Sequence, residues 1–132
     1  MAINLHVTVI TPARSVLNAD AQAVVVPAFD GELGVLPGHA DMLALLGSGV
    51  LRLTTPEGNV QRMAIRGGFL QINHNKVTVL TPESASTSEI KPDALKAERD
   101  KLNAEKPTKL NERDALELRR AWLSARERTL KS

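Results

Sequence analysis

Phe69-Leu70-Gln71-Ile72 and Lys76-Val77-Thr78-Val79-Leu80 flank the triplet Asn73-His74-Asn75, so two β-rich runs meet at a cluster of turn residues. β-Branched and aromatic side chains suit a pleated, half-buried surface, and Asn accepts the left-handed backbone of tight turns. Two short strands joined by a turn are expected. Working outward, further β-rich runs occupy Val60 to Ile65, Val50 to Thr54 and Ala21 to Val26, with Ile3, Leu5, Val7 and Val9 alternating against Asn4, His6 and Thr8 up to Thr11-Pro12. Gly67-Gly68, Pro56-Glu57-Gly58-Asn59, Gly47-Ser48-Gly49 and Asp30-Gly31 are read as the turns between them. Many short strands with frequent turns point to a sandwich or flattened barrel.

Downstream the pattern breaks. Thr81-Pro82-Glu83-Ser84-Ala85-Ser86-Thr87-Ser88 is polar and small, and is read as a linker. From Pro92 onward Ala, Leu, Lys, Glu and Arg dominate, which favours helix, and Pro suits a first helical turn because its missing N–H leaves nothing unsatisfied. That helix should stop before Pro107, and a second should run from an N-cap at Asn111 to about Leu130. The organisation expected is a sandwich over residues 1–82, a linker over 83–91 and a two-helix hairpin over 92–132.

The second helix carries two apolar stripes. Ala115, Leu118, Trp122, Ala125 and Thr129 repeat at three and four residues, while Leu116, Leu123 and Leu130 lie seven apart on a line about 100° away. One partner cannot cover both. The helix is expected to rest wedged between its hairpin mate and the sandwich, and to be capable of exchanging partners between two states.

Composition sets bounds. The 132 residues are 42% hydrophobic, within the globular range once glycine is added, and include no cysteine. Disulfide frameworks and thiolate metal sites are therefore excluded. The apolar runs Ala23 to Pro27 and Met42 to Leu46 are far shorter than a membrane span, and Met1 to His6 lack a basic n-region and long apolar stretch. A cytosolic chain able to sit on a membrane complex is expected. Residues 1–88 hold 5 basic and 6 acidic side chains, whereas residues 89–132 hold 12 and 9. Because acids interleave with bases there, the pattern fits a solvated helical surface better than a phosphate-binding face, and nucleic acid is not an expected partner.

No catalytic constellation emerges. His6, His39 and His74 lack metal-ligand spacing, Gly47-Ser48-Gly49 is not a nucleophile elbow, and no Gly-Lys-Ser/Thr follows Gly31, Gly34 and Gly38. What stands out is Gly31-Glu32-Leu33-Gly34-Val35-Leu36-Pro37-Gly38-His39-Ala40, a shaped loop with little polar chemistry, of the kind that binds partners.

This loop closely resembles the signature loop of the epsilon subunit of F-type ATP synthases. The resemblance continues, in order and spacing, through Gly49-Val50-Leu51-Arg52, Gly67-Gly68-Phe69-Leu70, Val77-Thr78-Val79-Leu80 and Leu118-Arg119-Arg120-Ala121. It implies an α+β fold, a ten-stranded antiparallel β-sandwich followed by an α-helical hairpin, in a non-catalytic rotor subunit beside the gamma subunit and the ring of c subunits. By likeness Gly31, Glu32, Leu36, Pro37 and His39 face those rotor partners, a loop-ordering hydrogen bond being the plainer role for His39. It also implies that the hairpin, when extended into the alpha/beta catalytic head, obstructs ATP hydrolysis, with Arg113, Arg119, Arg120, Trp122, Arg126 and Arg128 as candidate contacts. Some relatives bind ATP on the compact hairpin through Ile or Leu, Asp, two free positions, Arg and Ala. The nearest match here, Pro92-Asp93-Ala94-Leu95-Lys96-Ala97, keeps Asp93 and Ala97 but puts Lys96 where arginine's planar fork would sit. ATP held by Asp93, Lys96, Ala97 and Arg126 is the alternative expectation; no other cofactor and no metal is expected. Asp41 departs from the proline common in relatives. The expected location is the cytoplasmic face of a bacterial plasma membrane, with the chloroplast thylakoid as the alternative.

Overall fold

The computed structural model describes residues 3–105 and 110–130. Eight strands lead into two helices: β1 (Leu5–Ile10), β2 (Ser15–Ala21), β3 (Ala23–Ala28), β4 (Gly31–Val35), β5 (Met42–Thr54), β6 (Val60–Asn73), β7 (Lys76–Leu80), β8 (Ser84–Ser86), a 3-10 turn at Thr87–Glu89, then α1 (Pro92–Ala104) and α2 (Leu110–Leu130). The strands hydrogen-bond in the order β2-β1-β7-β6-β5-β3-β4, with β8 added to β6. All neighbours are antiparallel except β1 and β7, which run parallel from His6↔Lys76 to Ile10↔Leu80.

The strand count corrects the expected ten to eight among the described residues, and the reason lies in two glycine-containing segments. Gly47-Ser48-Gly49 and Gly67-Gly68 do not end strands; β5 and β6 run through them in one unbroken register, Leu46↔Gly68 and Ser48↔Arg66 lying on either side of the bend. Counting each bent strand as two halves restores ten. Core-facing parity inverts there: Met42, Ala44 and Leu46 point inward before the bend in β5, Leu51 and Leu53 after it. In β6 Met63 and Ile65 give way to Leu70 and Ile72. A strand pair that changes its inner face in this way turns a corner of the sandwich.

Only glycine can make that corner. Gly67 and Gly68 have φ of +71° and +114°, and a Cβ on Gly68 would lie 1.9 Å from the Leu80 carbonyl oxygen. The sheet encloses one apolar core of Leu5, Val7, Val9, Val24, Val26 and their neighbours on the other strands.

Residues 83–91, read from the sequence as a linker, are structured by pairing and capping. β8 pairs with β6 at Met63↔Ser86, Ala64↔Ala85 and Ile65↔Ser84. The Ser86 backbone N–H then donates to the Glu89 carboxylate over 3.0 Å, part of a capping box that starts the 3-10 turn. Glu89 is consequently held below the usual carboxylate range, chiefly by that backbone hydrogen bond.

Pro92 occupies the first turn of α1 as expected, and the helix ends at Ala104; Pro107 lies outside the described residues. α2 already includes Leu110 and Asn111, so Asn111 is not its N-cap. Leu95 and Leu102 of α1 meet Leu116 and Leu123 of α2 together with Ile90, closing the hairpin seam. Burying each leucine contributes about 2 kcal/mol. On the other side of α2, Trp122 and Ala125 pack on Ala64 of β6. The helix is thus wedged as its two stripes require, except that Leu118 stays 66% exposed and Ala115 is also uncovered.

Candidate functional site

Four features of the surface bear on function. The first is the loop singled out in the sequence. Its leading residues are strand rather than loop: β4 pairs with β3, placing Glu32 opposite Pro27 on the sheet edge. There the Glu32 carboxylate pairs with Arg52 over 2.9 Å. The tip turns at Leu36-Pro37-Gly38, closed by the His39 backbone N–H donating to the Leu36 carbonyl over 3.1 Å. The Gly38 N–H donates to the Asn75 side-chain oxygen over 2.8 Å, and His39 Nδ1 donates to the Ala40 carbonyl over 2.8 Å. His39 therefore orders the loop, and Leu36, 62% exposed, is what the tip presents. Asp41 accepts from the His74 N–H over 2.9 Å and ties the tip to the β6–β7 turn. An acid here supplies a bond that proline could not.

The second feature escaped the sequence reading. Leu45, Phe69 and Leu80 are direct cross-strand partners on β5, β6 and β7. All three are about half exposed, at 55%, 58% and 48%. Leu43 and Phe29 extend the exposed apolar surface, and the Phe29 N–H is fastened to the Leu45 carbonyl over 2.9 Å. The signal was available in Met42-Leu43-Ala44-Leu45-Leu46, apolar at both parities of one strand, which implies that its second face is also covered by something.

The third is the polar seam of the hairpin. Arg126 of α2 binds the Glu98 carboxylate of α1, and its guanidinium lies 5.0 Å from the centroid of the Trp122 ring. Arg99 binds Glu127 and donates to the Ser124 hydroxyl over 3.1 Å. Arg119 donates to Glu105 over 2.6 Å. These bonds raise the Arg99 and Arg119 pKa values and lower that of Glu105, the hydrogen bond being the largest cause in each case.

The expected candidates divide accordingly. Asp93, Lys96 and Ala97 are exposed on α1, away from the buried Leu95, while Arg126 is engaged with Glu98 and Trp122; the structure does not bring the four together. Arg113 is exposed, Arg120 approaches Glu117 at 3.9 Å, and Trp122 is buried against the sheet. Arg119 and Arg126 are taken up in the seam. Arg128 lines a cleft at the end of α2 and is the fourth feature.

Comparison with known proteins gives a consistent result. Residues 4–87 match the family described as ATP synthase, Delta/Epsilon chain, beta-sandwich domain. An ATP synthase epsilon chain of Desulfitobacterium hafniense strain Y51 is 38% identical over 124 residues, covering 94% of this chain and 90% of that protein. Another from Symbiobacterium thermophilum is 42% identical over 103 residues, covering 77% and 72% of the two chains. Among solved structures, a chain of the Euglena gracilis mitochondrial ATP synthase (OSCP/F1/c-ring) superposes with a TM-score of 0.86 at 22% identity, over 98% of this chain and 83% of that one. A chain of the Tetrahymena thermophila mitochondrial ATP synthase central stalk and c-ring gives 0.72 at 17%, covering 96% of each. At those identities the two structures speak to the fold.

Proposed function

From the premise that the chain belongs to the ATP synthase delta/epsilon family, as an epsilon chain, we propose that it is a non-catalytic rotor subunit that couples proton translocation to ATP synthesis. Its hairpin is a brake on ATP hydrolysis. The observation that carries the coupling role is the exposed row Leu45, Phe69 and Leu80, which lies on the half of the β5–β6 ribbon that α2 leaves open. A contiguous apolar row on a rigid sheet marks an interaction surface. The gamma subunit is its proposed partner, and the loop tip at Leu36 to His39 is proposed to meet the c-subunit ring. The cytoplasmic face of a bacterial plasma membrane is the proposed location, a reading supported by the bacterial epsilon chains it is similar to.

The braking role rests on the way α2 is held. One of its stripes closes the hairpin against α1 and the other seats Trp122 and Ala125 on the sheet, so each apolar face of α2 belongs to a different partner and the hairpin seam does not depend on the sheet contact. Released from the sheet, the exposed Arg113, together with Arg120 and Arg128, would be available to acidic surfaces of the alpha/beta head. Removing all residues after Ser88 from the reconstituted complex is expected to leave assembly intact and raise ATPase activity. Unchanged hydrolysis would remove the brake, and failure of the truncated chain to assemble would remove the division of labour. The ATP-holding alternative requires Arg126 to leave Glu98; calorimetry with millimolar ATP on the isolated protein decides it.

A further inference from the structure

A cleft of about 490 Å³ lies at the junction of the sandwich and the C-terminal end of α2. It is lined by Arg52 of β5, Arg62 of β6 and Arg128 of α2, by Glu32 of β4, and by the apolar Pro27 and Val50. Arg52 and Arg62 are direct cross-strand partners. Like charges placed opposite one another on a sheet are destabilising, and here a third guanidinium arrives from a different element. Glu32 compensates only Arg52; among the described residues neither Arg62 nor Arg128 has an ion-pair partner. The cleft therefore holds an excess of two positive charges, in the residue type whose planar fork matches phosphate oxygens.

We propose that this cleft is a binding site for a small phosphate-bearing anion, held by Arg62 and Arg128 with Arg52 in support, which bridges the sandwich to the helical hairpin. The volume exceeds what one phosphate group fills and lies within the range of small-molecule sites, so a diphosphate is the ligand class. The apolar lining at Pro27 and Val50 leaves room for an attached organic group. The site uses none of the α1 residues Asp93, Lys96 and Ala97. Because Arg128 belongs to α2 and the other two arginines to the sheet, a bound anion binds the docked hairpin in preference to the undocked one and shifts the population toward it. The inference stands on the cleft itself and does not depend on the rotor role.

The test is calorimetric titration of the full chain with inorganic pyrophosphate and, separately, with ADP, at physiological ionic strength. Saturable pyrophosphate binding is expected, weakened about tenfold in each of Arg62→Gln and Arg128→Gln and unchanged in Lys96→Gln. Amide exchange in α2 should slow in the ligand's presence. Both arginines are at the surface, and a melting curve matching the parent protein verifies that the variants fold. Equal affinity for ADP supports a site for the diphosphate alone, and tighter binding of ADP supports the same site with its nucleoside over Pro27 and Val50. Absence of saturation at millimolar pyrophosphate, or equal binding by the arginine variants, or loss of binding in Lys96→Gln, overturns the assignment.

Discussion

The guanidinium of Arg126 lies 5.0 Å from the centroid of the Trp122 ring, one helical turn away on α2. Trp122 is itself pressed against Ala64 of the sheet, so one tryptophan reports on both contacts of the helix. Trp122→Ala should cost about 3–5 kcal/mol of docking. Hydrogen exchange is the measurement: α2 amides should lose protection while those of β1 and β7 keep theirs. Equal loss throughout would mean that the hairpin and sandwich unfold as one unit.

Glu98 and Arg126 bind across the hairpin, with the Arg126 side chain only 18% exposed. A double-mutant cycle with Glu98→Gln and Arg126→Gln should return a coupling of about 1 kcal/mol, the upper end for ion pairs at a surface. Raising the salt concentration should reduce it.

Gly68→Ala should destabilise the sandwich by at least about 3 kcal/mol, because the methyl group has no space beside the Leu80 carbonyl and the backbone angle is left-handed. Gly34→Ala, on the edge strand with open space around it, should be close to neutral. Chemical denaturation of the two variants compares them directly.

Acid should loosen the hairpin. The Glu105 carboxyl is held below its ordinary range by Arg119, so its folded pKa is lower than its unfolded one. The contribution is complete above the unfolded value, about 4.3, and is lost as pH falls below that through the folded value. Protection of α2 amides should therefore hold from neutral pH down to about 4.3 and fall below it, and the fall should be smaller in Glu105→Gln. The group is at the surface, so the effect is a modest one.

Phe69→Ser should leave the melting temperature nearly unchanged, since the ring is more than half exposed, yet weaken binding to the gamma subunit, the proposed partner, in a pull-down from the reconstituted stalk. A drop in stability with intact binding would assign the row to folding.

Much of this was legible in the sequence, and the misses share a cause. β7, the turn at His74-Asn75 and both helices follow from local residue preference. β2, Ser15-Val16-Leu17-Asn18-Ala19-Asp20-Ala21, contains residues that disfavour strands and forms because β1 offers it an antiparallel ladder from Leu5↔Ala21 to Val9↔Leu17, with a register shift before Ile10↔Ser15. β4 carries Gly31 and Gly34 and is recruited in the same way by β3. Gly67-Gly68 has the composition of a turn, but its partners on β5 remain in register on both sides, so the chain bends without stopping. The loop was found by its shape, whereas the hairpin pairs Glu98–Arg126 and Arg99–Glu127 depend on how two helices align, which neither helix records alone.

The long β5–β6 ribbon has a mechanical consequence. Phe69 on its open half and Ala64 beneath α2 belong to the same strand, joined by backbone braced along its whole length by β5. A push on the aromatic end is not absorbed by a slack loop before it reaches the helix seat. The corner glycines let this strut change direction without losing its register, so the aromatic row and the helix seat share one hydrogen-bonded ribbon.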